Sequence, residues 1–179
     1  MKTILLTGTP GTGKTELAKK LSLLLGYAYF DVNSYAKKAH IYGSYDSKRQ
    51  TYVVDEAKLA HSLIKVRLEA LKAGKKGLIF DSHLSHYLPP KYADLCIVTR
   101  CGLKTLKQRL HKKGYSPAKV RENLDAEIFD TCLIEARELG HKVLTFDTTR
   151  AKKADAEALA AKIRKQVRIR SGPSPNLVR

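Results

Sequence analysis

Gly8-Thr9-Pro10-Gly11-Thr12-Gly13-Lys14-Thr15 satisfies G-x-x-x-x-G-K-[ST] at every fixed position, directly after the apolar run Ile4-Leu5-Leu6. A segment with helical spacing follows, so the motif stands where a strand gives way to a helix. Glycines there let successive backbone N–H groups point inward at phosphate oxygens, and the helix offers its positive end to the same anions. Lys14 is spaced to reach β- and γ-phosphates, and the Thr15 hydroxyl to sit on Mg²⁺. An ordinary glycine-rich turn is the bland alternative, and the ordered strand, loop and helix argue against it. The motif predicts binding of a nucleoside triphosphate.

The remaining pattern fits that start. Apolar runs at Ile4–Thr7, Tyr27–Val32, Gly77–Asp81, Leu95–Thr99 and Val143–Phe146 alternate with helical segments. The first helix carries Leu17, Leu21 and Leu24 and stops at Gly26; another runs from Asp55 to Gly74. A third starts with Ser116 as cap and Pro117 at its first position. It is expected to bury Val120, Leu124, Ile128 and Cys132 and to end at Gly140. The last spans about 154–167. This predicts an α/β, P-loop fold: a five-stranded, mainly parallel sheet with helices on both faces. With 179 residues and 43% hydrophobic composition, one domain over 1–170 is expected, with a flexible basic tail at 171–179.

Charge is the second constraint. Lys and Arg total 34 against 17 Asp and Glu, a formal charge of +17. A polyanionic neighbour such as RNA would explain that excess; so would a thermophile's lysine-rich surface, which suits the absence of Trp and the single Met. The three cysteines, Cys96, Cys101 and Cys132, form no Cys-x-x-Cys pair, which favours a reduced, cytoplasmic protein. No run approaches a membrane span, and the early strand leaves no room for a signal peptide, so no membrane partner is expected.

Two segments interrupt the alternation. One covers about 31–54 and interleaves Tyr35, Tyr42, Tyr45 and Tyr52 with Lys37, Lys38, Lys48 and Arg49. The other, Arg100 to Arg121, holds eight Lys or Arg and no acid. Kinases acting between nucleotides need two such additions, one for the acceptor and one to close over the donor. The third strand ends in Asp81-Ser-His83-Leu-Ser-His86. An acid after an apolar strand is the Walker B position, where Asp81 could hold a water on Mg²⁺ or accept a proton. His83 could orient a nucleophile or stabilise developing charge, though a packing role is the commoner fate of such a histidine. His86 is weaker still. Zinc held by His83-x-x-His86 and Cys96-x4-Cys101 is disfavoured, because Cys96 falls inside a strand.

Taken together and in order, these motifs carry a resemblance. The phosphate loop, Asp81-Ser-His83-Leu-Ser-His86 with Pro89, Arg109-Leu-His-Lys-Lys-Gly114-Tyr115 and Asn123-Leu-Asp-Ala-Glu127-Ile-Phe129 resemble the atypical adenylate kinase family. That family, known in eukaryotes as a coilin-interacting nuclear ATPase and adenylate kinase, also serves small ribosomal subunit maturation. The resemblance spans nearly the whole chain except the tail. It implies ATP binding at Gly11, Gly13, Lys14, Thr15 and Glu16, a monophosphate-binding region at about 31–54 and a lid at about 112–122. It further implies Asp81 and His83 as the catalytic pair beside Lys14, with Thr15 and Asp81 toward Mg²⁺. Lys113 stands where an arginine is familiar in the family. It keeps the charge but loses the two-pronged grip, a function expected of Arg109 one turn earlier. Glu16 replaces a common threonine, at an outward position.

The expected reaction is Mg²⁺-dependent transfer from ATP to AMP, with broad acceptor tolerance and accompanying ATPase activity. The resemblance adds the small ribosomal subunit, its platform ribosomal protein and an rRNA contact as partners. An ATP-hydrolysing assembly factor with little kinase role is the alternative of a different class. Another small P-loop kinase is the third, and Asp81-x-His83 counts against it.

Overall fold

The computed structural model describes residues 1–46 and 51–169. Lys48, Arg49 and the tail at 171–179 fall outside them, as do the side chains of Tyr42, Tyr45, Tyr52 and Val167. Five parallel strands build the central sheet: β1 (Lys2–Thr7), β2 (Ala28–Asp31), β5 (Gly77–Asp81), β6 (Leu95–Arg100) and β7 (Val143–Asp147), in the order β2-β5-β1-β6-β7. A separate antiparallel pair, β3 (Tyr42–Asp46) and β4 (Thr51–Val54), lies between β2 and β5 in sequence.

Parallel strands need crossovers, and these put helices on both faces. Strand alternation then splits the core in two. Leu5, Leu78, Phe80, Cys96 and Val98 face a cluster completed by α2 (Val32–Lys38), α3 (Glu56–Lys72) and α6 (Thr131–Glu138). Ile4, Leu6, Ile79, Leu95 and Ile97 face the other, with α1 (Lys14–Leu25) and α7 (Lys153–Ile169). Each central strand is buried on both sides, which is why these segments read as unbroken apolar runs. Tyr35 joins the first cluster by packing on the Phe30 ring at 5.2 Å between centroids, so it is a core tyrosine.

A third, smaller cluster stands apart. Cys101, Leu106, Leu110 and Val120 hold α4 (Leu103–Lys112) against α5 (Pro117–Ile128), an excursion that leaves the sheet after β6. Ser116 caps α5 by accepting from the Lys119 N–H at 3.3 Å, with Pro117 following, as the sequence indicates.

The long helix expected from Pro117 to Gly140 is a correction. It breaks at Asp130, whose backbone is left-handed at φ 54°, into α5 and α6. The break changes which face is buried: Val120, Asn123 and Glu127 turn inward, Ile128 is 54% exposed, and Leu124 and Cys132 are only partly covered. A run of apolar residues at helical spacing misled because two polar residues are buried instead: Glu127 reaches Thr9 and Cys101, and Asn123 donates to the Lys119 carbonyl of its own helix. β2 is also shorter than its apolar run, since Asp31 accepts from the Ser34 N–H at 2.9 Å and starts α2 at Val32.

Phe80 is fully buried and meets Phe30 edge-on at 5.5 Å, one residue before Asp81. Phe80→Ala should lower the unfolding free energy by about 3–5 kcal/mol. Urea denaturation would read this as a lower midpoint with an unchanged slope.

Candidate active site

β1, β5 and β6 are adjacent and parallel, so their C-terminal ends converge. Leu6 pairs with Asp81 and Thr7 with Val98, so the chain leaving Thr7 emerges between Asp81 and Thr99. This end of an open α/β sheet is where ligands bind. The loop can leave so abruptly only because Gly8 has no side chain. Its φ is 133°, and a Cβ there would lie 2.5 Å from the Thr99 carbonyl oxygen. Gly11 and Gly13 are also at positive φ, 92° and 88°, which curls the backbone into the start of α1.

Lys14 lies over this curl. Its Nζ donates to the Gly8 carbonyl at 2.7 Å and the Thr9 carbonyl at 3.0 Å, and the residue is 8% exposed. Burial pushes its pKa down to about 8, countered by Cys132 and Asp81 and reinforced by the Lys113 charge. Thr15, next in the chain, is exposed.

Asp81 is buried, and its two oxygens differ. Oδ2 accepts the Tyr29 hydroxyl at 3.0 Å, while Oδ1 has no hydrogen-bond partner among the described residues. Burial, then Asp81, raises the Tyr29 pKa well above the usual phenol value, so Tyr29 stays a donor. A buried carboxylate with one oxygen steadied and the other unpaired fits a cation or a cation-bound water.

His83 is partly buried, and burial, followed by Lys14, His86 and Lys119, drives its pKa down to about 3. At neutral pH it is an uncharged imidazole, able to orient or accept a hydrogen bond, with no standing positive charge to offer. His86 points into the fold. Its Nδ1 lies 2.7 Å from Thr7 Oγ1, and its Nε2 lies 3.1 Å from Glu135 Oε2, off the hydrogen-bond axis. His86 thus ties β1 to α6.

Arg109 reaches across to Thr148, just after β7. Its Nη2 donates to the Thr148 carbonyl at 3.0 Å and its Nη1 to Thr148 Oγ1 at 3.2 Å. With Gly13, Glu16, Phe146 and Thr148 it lines a small, open pocket of about 70 Å³ beyond the loop. Glu16 pairs with Lys20 at 2.7 Å, and that contact holds its carboxyl below the usual range. Lys113 is exposed at the end of α4. Most of the sequence-derived residues thus fall into two neighbouring groups. Gly11, Lys14, Asp81 and His83 lie at the strand ends, Gly13, Glu16 and Arg109 border the adjoining pocket, and Lys113 stays at the exposed end of α4.

Sequence reasoning missed Tyr29, Thr9, Thr148 and Glu127. The first three carry no spacing signal, because their partners lie on elements distant in sequence: Tyr29 on Asp81, Thr9 on Glu127 and Thr148 on Thr12 and Arg109. Glu127 stood inside a motif, yet a mid-helix acid reads as solvated until the burial is seen.

Comparison with known proteins agrees with this geometry. A family model described as an AAA domain matches residues 4–130. A Methanocaldococcus jannaschii protein provisionally named an adenylate kinase is 40% identical over 146 residues, covering 82% of this chain and 76% of its own. The adenylate kinase isoenzyme 6 homolog of Caenorhabditis elegans is 35% identical over 135 residues, covering 75% and 72%. Among solved structures, a deoxyadenosine kinase from M. mycoides with bound dATP superposes with a TM-score of 0.56 at 19% identity, covering 92% of this chain and all of that one. A Janibacter sugar kinase reaches 0.64 at 16% identity, covering 97% and 99%. These two share the fold.

The Lys14 pKa has a measurable consequence. The unfolded chain holds its lysine proton up to about 10.5, whereas folded Lys14 releases it near 8. Between those values the unfolded state binds more protons, so stability rises with pH; below about 8 the penalty is fully present. Lys14→Met should be at least as stable as wild type at pH 7. The difference should move in favour of wild type as pH climbs from about 8 through 10.5, read by denaturant melts at each pH.

Proposed function

The chain belongs to the atypical adenylate kinase family, and from that premise we propose that it transfers the terminal phosphoryl group of ATP to AMP. Adenylate kinase-like nucleotide kinase activity fits both the fold and the relatives. The observation that supports the finer reading is the meeting of two unlike groups at the ends of β1 and β5. Among the described residues, one is a buried ammonium bonded to loop carbonyls alone, and the other is a buried carboxylate with one oxygen unpaired. Both await a ligand that brings phosphate and cation together.

Thr15 and Asp81, the latter through water, would hold Mg²⁺ delivered with ATP, and that ion supplies charge neutralisation at the phosphate oxygens. The rest falls to the chain itself. Backbone N–H groups of the curled loop donate to phosphate. Lys14 exchanges the Gly8 and Thr9 carbonyls for phosphate oxygens, a stronger pairing of opposite charges. Lys113 would add positive charge from the end of α4, and the open Arg109 pocket, which adjoins the loop at Gly13, would take the adenine end of ATP. Neutral His83 orients the attacking oxygen or accepts its hydrogen bond, while Asp81 is the carboxylate within reach to take a proton. The acceptor would lie toward 31–54, with Tyr29 steadying Asp81 from that side.

AMP-independent ATP hydrolysis in the service of small-subunit maturation is a second activity we attach to the same site. The charge of +17 and the exposed Lys104, Lys107, Lys112 and Lys113 along α4 support a polyanionic neighbour there, such as rRNA beside the platform protein.

A coupled assay of ADP formation tests the first reading. ADP should appear rapidly from ATP only when AMP is present, and Lys14→Ala should lower kcat by about 100-fold or more. Asp81→Asn should lose activity comparably while keeping the fold, because Oδ2 can be replaced as an acceptor for Tyr29. An AMP-indifferent rate would instead favour hydrolysis. Salt-dependent binding to isolated small subunits then tests the second activity.

A further inference from the structure

Glu127 lies far from the sequence motifs of phosphate chemistry, yet its carboxylate touches the phosphate loop. It is 5% exposed and carries a designed-looking set of partners. Oε2 accepts the Thr9 hydroxyl at 2.5 Å, and Oε1 accepts the Cys101 backbone N–H at 2.9 Å. Arg100 Nε stands 3.4 Å from Oε1, and the same guanidinium pairs with Asp130 at 2.5 Å. A buried carboxylate is tolerated only when paired and hydrogen-bonded, and here both conditions are met.

The location of those partners matters more than their number. Cys101 is where the chain leaves the sheet for α4, and Glu127 is where it ends α5 on the way back. The excursion between them has its own small core, separate from the two that clamp the sheet. One carboxylate therefore staples both ends of the excursion to each other and to Thr9 of the loop. A second contact reinforces this: a Cβ on Gly11 would meet Leu106 and Leu110 at 2.9 Å, so α4 rests directly on the loop backbone. The excursion also carries Arg109 and Lys113, the bases facing the nucleotide site.

We propose that Glu127 is a positioning residue that pins the base of the α4–α5 hairpin to Thr9, so that hairpin and phosphate loop adopt the ATP-binding arrangement together. It touches no substrate and acts through Thr9 and Cys101. This rests on the reading of the protein as an ATP-dependent nucleotide kinase. Because the 31–54 region attaches elsewhere, the joint governs ATP affinity and turnover and leaves AMP affinity alone.

A double-mutant cycle with Thr9→Val and Glu127→Gln tests it, with Mg-ATP affinity measured by calorimetry on folded protein and KM for AMP measured alongside. Each single change should weaken Mg-ATP binding by about 10-fold, the scale of one hydrogen bond to a charged group. The double variant should be no weaker than the worse single, Thr9→Ser should restore wild-type affinity, and KM for AMP should stay put. Multiplying effects, an unchanged Thr9→Val, or an equal rise in KM for AMP would overturn the proposal. Simple loss of stability would lower the active fraction without moving the affinity of the folded molecules. Should Glu127→Gln fail to fold, the Thr9→Val and Thr9→Ser pair decides alone. A wild type that binds Mg-ATP but forms no ADP from AMP would sink the acceptor assignment by itself, and the cycle, read in ATP affinity, still decides.

Discussion

A lysine ammonium kept from water by two backbone carbonyls of its own loop is the interaction on which this site depends. Such a charge is costly to bury, and the carbonyls of Gly8 and Thr9 offset only part of that cost, as the lowered Lys14 pKa records. The arrangement persists because the loop has no freedom to relax. Gly8 is pressed against Thr99, Gly11 against α4, and the Thr12 hydroxyl bonds both the Thr9 carbonyl at 2.7 Å and Thr99 Oγ1 at 2.6 Å. A cationic group held in place by a rigid frame is ready for an anion. A phosphate entering the loop would offset the remaining cost of burying the Lys14 charge.

The frame gains its rigidity from the sheet. Five parallel strands closed on both faces leave few soft modes at the strand ends, and β1, β5 and β6 present Thr7, Asp81 and Thr99 side by side. The α4–α5 hairpin packs its own small core outside those two layers and is pinned to the loop through Glu127 and Gly11. A stiff cradle beside a separately packed cover would suit a phosphoryl-transfer enzyme, the cradle to order phosphate and the cover to exclude water.

The phosphate loop, the five strands, most helix boundaries and the candidate residues at the strand ends were legible because each has a local signature. A glycine pattern, an unbroken apolar run, a Ser116-Pro117 start or a Gly26 stop needs only neighbouring residues to be read. The break at Asp130 was not legible, because the spacing of Val120, Leu124, Ile128 and Cys132 describes a plausible apolar face that tertiary contacts override. Glu127 and Asn123 take that face instead. The β3–β4 pair was likewise obscured, since its tyrosine-rich strands carry basic residues between them and lack the clean turn chemistry of a short hairpin. Tyr29, Thr148 and Glu127 show the deeper limit. Their roles come from pairings 52, 136 and 118 residues apart, and such distances leave no periodic trace in one sequence.

The two histidines of the Asp81-x-His83-x-x-His86 element illustrate how burial divides labour between identical side chains. His86 is enclosed and engaged by Thr7 and Glu135, so it sets the position of the turn after β5. That turn holds His83, whose pKa near 3 keeps it neutral beside the Lys14 charge. A protonated His83 would repel Lys14 and compete with it for phosphate. A neutral one leaves the charge beneath the loop to Lys14 and offers a directional acceptor instead. If phosphate is transferred here, the proposed order of the site, cationic below the phosphate and neutral or anionic toward the attacking group, would follow from which imidazole is fastened and which is merely shielded.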